Sequence, residues 1–171
     1  MNFFTAQGAR LGDDLLAANA ILFQLAMFAA YVMDGFSHAA EALCGRAVGA
    51  GQRALFDHIT SVCRRMMGTT AILFTILFAA AGSPLMSLFS DLEGVRAAGV
   101  TYLPWLVAMP LVGYTAYLYD GVFIGAGATQ EMFYTMLFAT AGIFLPIWWL
   151  TLGWHNHGLW LAFIALSLIH I

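Results

Sequence analysis

The sequence predicts an all-α integral membrane protein with about five transmembrane helices, and three observations carry that prediction. Of its 171 residues, 62% are hydrophobic and 9% are charged, whereas a soluble domain is about 25% charged. The apolar residues come in long runs, and ~20 residues of helix cross ~30 Å of hydrocarbon. The runs show no period-two alternation of the kind a membrane barrel needs, so each must satisfy its backbone internally, as a helix.

Residues 1–14 read as an extracytoplasmic loop. Asp13 and Asp14 precede the apolar run, the reverse of a signal peptide's order. The partial transmembrane lobe, 15–171, follows. Its first helix covers roughly 15–45. The second covers about 62–89, and the third about 97–125, interrupted only by Asp120. From Met132 to Ile171 there is no Asp, Glu, Lys or Arg, which is too long for one span. "GWHNHG" divides it into a fourth helix near 130–152 and a shorter fifth near 158–171, with the Trp and His at the outer headgroup level. The fifth falls short of a bilayer, so both ends of the chain are expected to be cut, and the terminal "SLIHI" reads as foreign to the protein.

Arginine placement gives the orientation. Arg46, Arg53, Arg64 and Arg65 cluster between the first two spans against one acid, Asp57, while "SDLEGVR" holds one arginine and two acids. The positive-inside rule puts the four-arginine loop in the cytoplasm. The net charge of −3, with no lysine, leaves no basic footprint for nucleic acid. Cys44 and Cys63 have no metal or redox spacing, and no cofactor is expected.

Two spans carry polar stripes. At 100° per residue, Asn19, Phe23, Met27, Tyr31, Asp34, His38, Glu41 and Gly45 share one face of the first helix. An Asp at a helix centre costs ~2.5–3.5 kcal/mol on insertion scales, so this face should meet other helices or a water-filled cavity. Asp34 and Glu41 have a second reading, as groups reaching water at the cytoplasmic end. His38 either shares a proton with Asp34 or packs as a hydrogen-bonded residue. On the third helix, Leu106, Met109, Gly113, Ala116, Tyr117, Asp120, Ile124 and Gly127 share a face, with Val107, Leu111, Leu118 and Val122 opposite, toward lipid. Asp120 either binds a cation or proton, with Tyr117 able to donate a hydrogen bond to it, or pairs structurally with a neighbouring helix. Pro104, Pro110 and Pro146 lie inside spans, and Pro110 is the candidate functional kink. "GRAVGAG" and "GVFIGAG" read as helix stops, with Thr129 capping the helix after the second and Glu131 in its first turn.

The segment "LGDDLLAANAILFQLAMFAAYVMDGFSHAAEALCGRAVGAGQR", with "YLYDGVFIGAG" beyond the next span, resembles the multidrug and toxic compound extrusion (MATE) transporters, most closely their DinF-like branch. The resemblance covers nearly the whole chain. It implies five of the twelve helices, eight to twelve, in the second of two six-helix lobes around a cleft. It also implies a secondary antiporter that exchanges H⁺ or Na⁺ for cationic amphipathic drugs or toxic metabolites in a bacterial inner membrane. The implied partners are the lipid bilayer, the missing N-terminal lobe and cationic small molecules. Asp120 falls where tenth-helix acids of the family line the C-terminal cavity. Some members place a tyrosine four residues before that acid, where Ala116 stands here, one residue before Tyr117. Asp34 matches the "DG" of the DinF-like eighth helix. One lobe cannot form a cleft between two, so this polypeptide alone is expected not to transport.

Other classes fit less well. A lipid-linked substrate flippase of the same superfamily should have a basic cavity, and no arginine falls inside a span. A membrane enzyme would need a nucleophile–base pair or metal set, for which His38 with Asp34 and Glu41 is the only cluster. A non-transporting structural subunit would leave Asp34 and Asp120 dispensable. Tyr31, Tyr117 and Phe23, with the acids, suit an organic cation through charge and cation–π attraction.

Overall fold

The computed structural model describes Gly8 and residues 12–169, with side chains as far as residue 166. Most of the expected outer loop, and the side chains of "SLIHI", lie outside the described residues. Three long helices come first: α1 (Asp13–Gly49), α2 (Arg53–Phe89) and α3 (Glu93–Gly125). Then α4 (Thr129–Phe138) runs through a π-helical segment, Ala139–Phe144, into α5 (Leu145–Leu150). A 3-10 turn, Leu152–Trp154, leads to α6 (His155–Ile169). Among the described residues, four helical segments are long and apolar enough to cross a membrane: α1, α2, α3 and Thr129–Leu150.

The helices stop where glycine allows it. Gly51 (φ 67°) and Gly127 (φ 73°) sit in the left-handed region. Beyond each, a backbone N–H reaches five residues back, Gln52 to the Ala47 carbonyl and Ala128 to the Phe123 carbonyl, both 2.9 Å. These are two copies of the same Schellman ending. The connection after α1 is therefore only three residues long, and α2 begins at Arg53 rather than near residue 62. Ala128, not Thr129, is the N-cap of α4, and Thr129 is its first helical residue.

Prolines act locally. Pro146 has no N–H for the Gly142 carbonyl, and the backbone answers by widening the preceding turn: the Leu145 N–H bonds the Thr140 carbonyl, five residues back. Helix α3 stays continuous through Pro104 and Pro110. At Pro110, the Thr75 hydroxyl of α2 donates 3.0 Å to the Val107 carbonyl of α3, tying the two helices across the proline turn.

Helix α3 is the centre of the bundle, flanked by α1 on one side, α2 on another, and α6 near the end away from the arginine-rich connection, called outer below after the orientation expected from the arginines. Two apolar cores result. The outer one joins Leu22, Phe23, Ala26, Phe78, Leu106 and Trp160. The inner one joins Met33, Cys44, Cys63, Met67, Leu118 and Val122. The expectation that Leu118 and Val122 face lipid is therefore corrected: Leu118 is fully buried and Val122 nearly so. A sandwiched helix has two covered faces, and a single-stripe reading assumes one. The outward-facing expectation does hold for Leu111, which is exposed, whereas Ile124, placed on the inner face, is also exposed.

"WHNHG" is also not a headgroup loop throughout. Trp154 and His155 are exposed, but Asn156 is fully buried. His157 is held between aromatic rings: the Trp105 indole donates to its Nδ1 at 3.0 Å, and the Tyr102 ring lies 4.6 Å away. Helix α6 starts at His155 and docks on α1 through an amide clasp. Asn19 and Asn156 exchange both hydrogen bonds, at 2.9 and 3.0 Å, and the Trp160 indole donates to Asn19 Oδ1 at 3.0 Å.

Candidate functional site

The inner halves of α1 and α3 run side by side and nearly touch. A Cβ on Gly121 would strike the Ser37 carbonyl, and one on Gly125 would strike the Glu41 carbonyl; one on Gly45 would lie 3.1 Å from the Gly125 oxygen. Small residues permit such backbone approach, and in lipid this close packing is what holds helices together, since hydrocarbon offers no hydrophobic drive between them. The seam brings Asp34, one turn outward from Ser37, alongside Tyr117, and sets Asp120 next to the Gly121 contact.

Asp34, Tyr117 and Asp120 therefore form one cluster. Burial first, and then the neighbouring Asp34 and Asp120, shape the surroundings of the Tyr117 phenol. All three side chains are half-buried, and Asp120 Oδ1 is sealed from solvent. Just outward of Tyr117, where the two cores part, is a cavity of about 20 Å³ lined by Ala30, Met33, Phe78, Met109, Pro110 and Gly113.

The rest of the expected α1 stripe divides. Asn19 and Phe23 are buried in the bundle, whereas Tyr31 is 67% exposed. His38 stands out from the helix and pairs with Glu41 through Nδ1 to Oε2 at 3.4 Å, not with Asp34. Pro110 is buried beside the cluster. The stripe lies on the border between the packed and open faces of α1, so its members alternate between the two environments. The open face proper adds Gln24, Phe28, Gly35 and Ala42 to Tyr31 and His38, all exposed. Gln24 was missed because it does not interrupt its apolar run conspicuously, although it lies two helical turns before Tyr31. Asn156, Trp160 and Thr75 were missed as polar partners because each bonds a helix far away in sequence. Among the described residues, no group of three or more His, Cys, Asp and Glu side chains is arranged to hold a metal ion.

The exposed face of α2 is different in kind. It presents Ile72, Leu73, Ile76 and Leu77, while the hydroxyls of Thr69 and Thr70 are tucked onto carbonyls one turn back. One lobe thus has an oily exposed face on α2 and a more polar one on α1.

A family model, MatE, matches residues 2–150. The chain belongs to the MatE family. It is also similar to the DNA damage-inducible protein F of Escherichia coli (strain K12), with 43% identity over 167 residues. That alignment takes in 95% of this chain but 36% of the relative, so the chain spans only about a third of that protein's length. No solved structure matches. MatE proteins are transporters rather than enzymes, and this chain is a multi-pass membrane segment of that family. The resemblance read from "DGFSHAAEAL" and "DGVFIGAG" and the family model agree.

Proposed function

We propose that this chain is part of the C-terminal lobe of a cation-coupled antiporter in a bacterial inner membrane, exporting cationic amphipathic compounds. The observation that carries the proposal is the Asp34–Tyr117–Asp120 cluster, set on two helices joined by a glycine seam beside a small cavity. A carboxylate at that depth is suited to binding a cation or carrying a proton. Exchange of one such ion for another is what an antiport cycle requires. Tyr117, one helical turn before Asp120, is the phenol in reach of that carboxylate.

The open face of α1, with Tyr31 and Phe28 among its aromatics, supplies the wall a flat organic cation would lie against. That face would meet the cleft and the other lobe, whereas the α2 face meets lipid. Arginines of the described chain sit at helix ends and on the inner extension of α2. The wall, with Asp34 and Glu41 along its border, is therefore acidic, which disfavours an anionic lipid-linked cargo.

The test is made in the whole transporter carrying this lobe. Asp120→Asn and Asp34→Asn are each expected to lower export of a cationic dye about tenfold or more, the effect of losing a charge-assisted contact of ~1.5–3 kcal/mol. Membrane abundance should stay normal. Export at the wild-type rate by both variants would overturn the proposal.

A further inference from the structure

We propose that the inner end of α2 carries a binding site for an anionic glycerophospholipid, built on Arg64, Arg65 and Ser61. Helix α2 has 37 residues, roughly 55 Å at 1.5 Å per residue, well beyond the ~30 Å of hydrocarbon. Its apolar part begins at Met66, so the residues before it extend past the hydrocarbon, on the side the positive-inside rule makes cytoplasmic. Arg64 and Arg65 stand at that boundary, and both are exposed.

Three observations point to a lipid headgroup there. First, among the described residues neither Arg64 nor Arg65 joins an ion pair, so their charges are not neutralised within the protein. Second, Arg65 is oriented: its Nε and Nη2 reach the Ser61 carbonyl and hydroxyl at 3.5 and 3.4 Å. A guanidinium has five N–H donors, so the remaining ones are available to a phosphodiester, which Arg recognises by paired hydrogen bonds. Third, Arg65, Thr69, Ile72 and Ile76 recur at i, i+4, i+7 and i+11 and share one helix face. Ile72 and Ile76 on it are exposed. The guanidinium therefore stands directly above the lipid-facing strip, where one molecule can set its phosphate at the arginines and its acyl chains along the isoleucines. Two adjacent uncompensated cations select a net-negative headgroup over a zwitterionic one.

The site is tested on the whole purified transporter in detergent, titrated with phosphatidylglycerol or phosphatidylcholine, with bound lipids counted by native mass spectrometry. A basic residue near an anionic surface contributes ~1 kcal/mol, about fivefold in affinity. The wild type should prefer phosphatidylglycerol, and R64Q/R65Q should lower that preference about 30-fold, the product of two such factors. R96Q, at the opposite end of the lobe, should leave it unchanged. Equal binding of the two lipids by the wild type would overturn the proposal, and so would an undiminished preference in R64Q/R65Q. The wild-type comparison and the single R65Q variant decide the matter if the double variant fails to fold.

Discussion

Replacing Asn19 tests how α6 is fastened to the bundle. Its side chain takes part in three buried interhelical hydrogen bonds, two shared with Asn156 and one accepted from Trp160. Interhelical bonds in membranes average about 0.6 kcal/mol and reach about 1.7, so Asn19→Ala should cost about 2 to 5 kcal/mol. Asn156→Ala loses only the reciprocal pair and spares the indole bond, so it should cost about two-thirds as much. The double variant should cost less than the sum of the two, because both singles break the same two bonds. The resulting coupling energy should be about 1 to 3 kcal/mol. Denaturant unfolding of the whole transporter in detergent, read as a double-mutant cycle, measures all three values. Equal costs for the two single variants, or a coupling near zero, would refute the clasp as the fastening of α6 to α1.

Other substitutions test the remaining contacts. Gly121→Val should prevent the α1–α3 approach, because its Cβ would meet the Ser37 backbone; overpacking costs ~1–3 kcal/mol or more, visible as loss of monodisperse protein on size exclusion. Thr75→Val removes one interhelical bond at the Pro110 turn and should lower stability by about 0.6 kcal/mol, at most about 1.7, with the helix content by circular dichroism unchanged. In the whole transporter, Tyr31→Cys should react with a water-soluble maleimide and Leu73→Cys should not, although both positions are exposed in the lobe. Equal labelling would mean that the two open faces do not meet different solvents.

The spans were legible because hydrophobicity and charge are counted along the chain. Four arginines between two apolar runs, and the absence of any charge after Glu131, need no tertiary knowledge. The helix stops were legible for the same reason: a glycine in each "GAG" meets a local backbone requirement, and Gly51 and Gly127 meet it in the same way. Side-chain environment was less legible because it depends on how many neighbours a helix has. Leu118 and Val122 look lipid-facing on a wheel, yet they are covered within the inner core. Tyr31 and Asn19 share a stripe in sequence but end on different sides of a packing border. Of the candidate site, the sequence pairs Tyr117 with Asp120 on one face of the third helix and leaves Asp34 on the first helix apart from them. The approach of Asp34 to that pair rests on Gly121 and Gly125 fitting against Ser37 and Glu41, a pairing between helices that no single-helix pattern contains.

The α1–α3 seam also constrains how such a cluster can operate. Where two backbones touch with no side chain between them, there is no compliant layer to absorb relative motion, so the inner halves of the two helices should travel as one rigid unit. Asp34 and Asp120 are mounted on opposite halves of that unit. Their separation is then a fixed dimension of the lobe, not a variable of any working cycle. If the cluster exchanges ions as proposed, uptake and release would have to be driven by what the surroundings admit (water, the facing lobe, a cargo), in the manner of a fixed socket whose cover moves, rather than a pair of jaws that open and close.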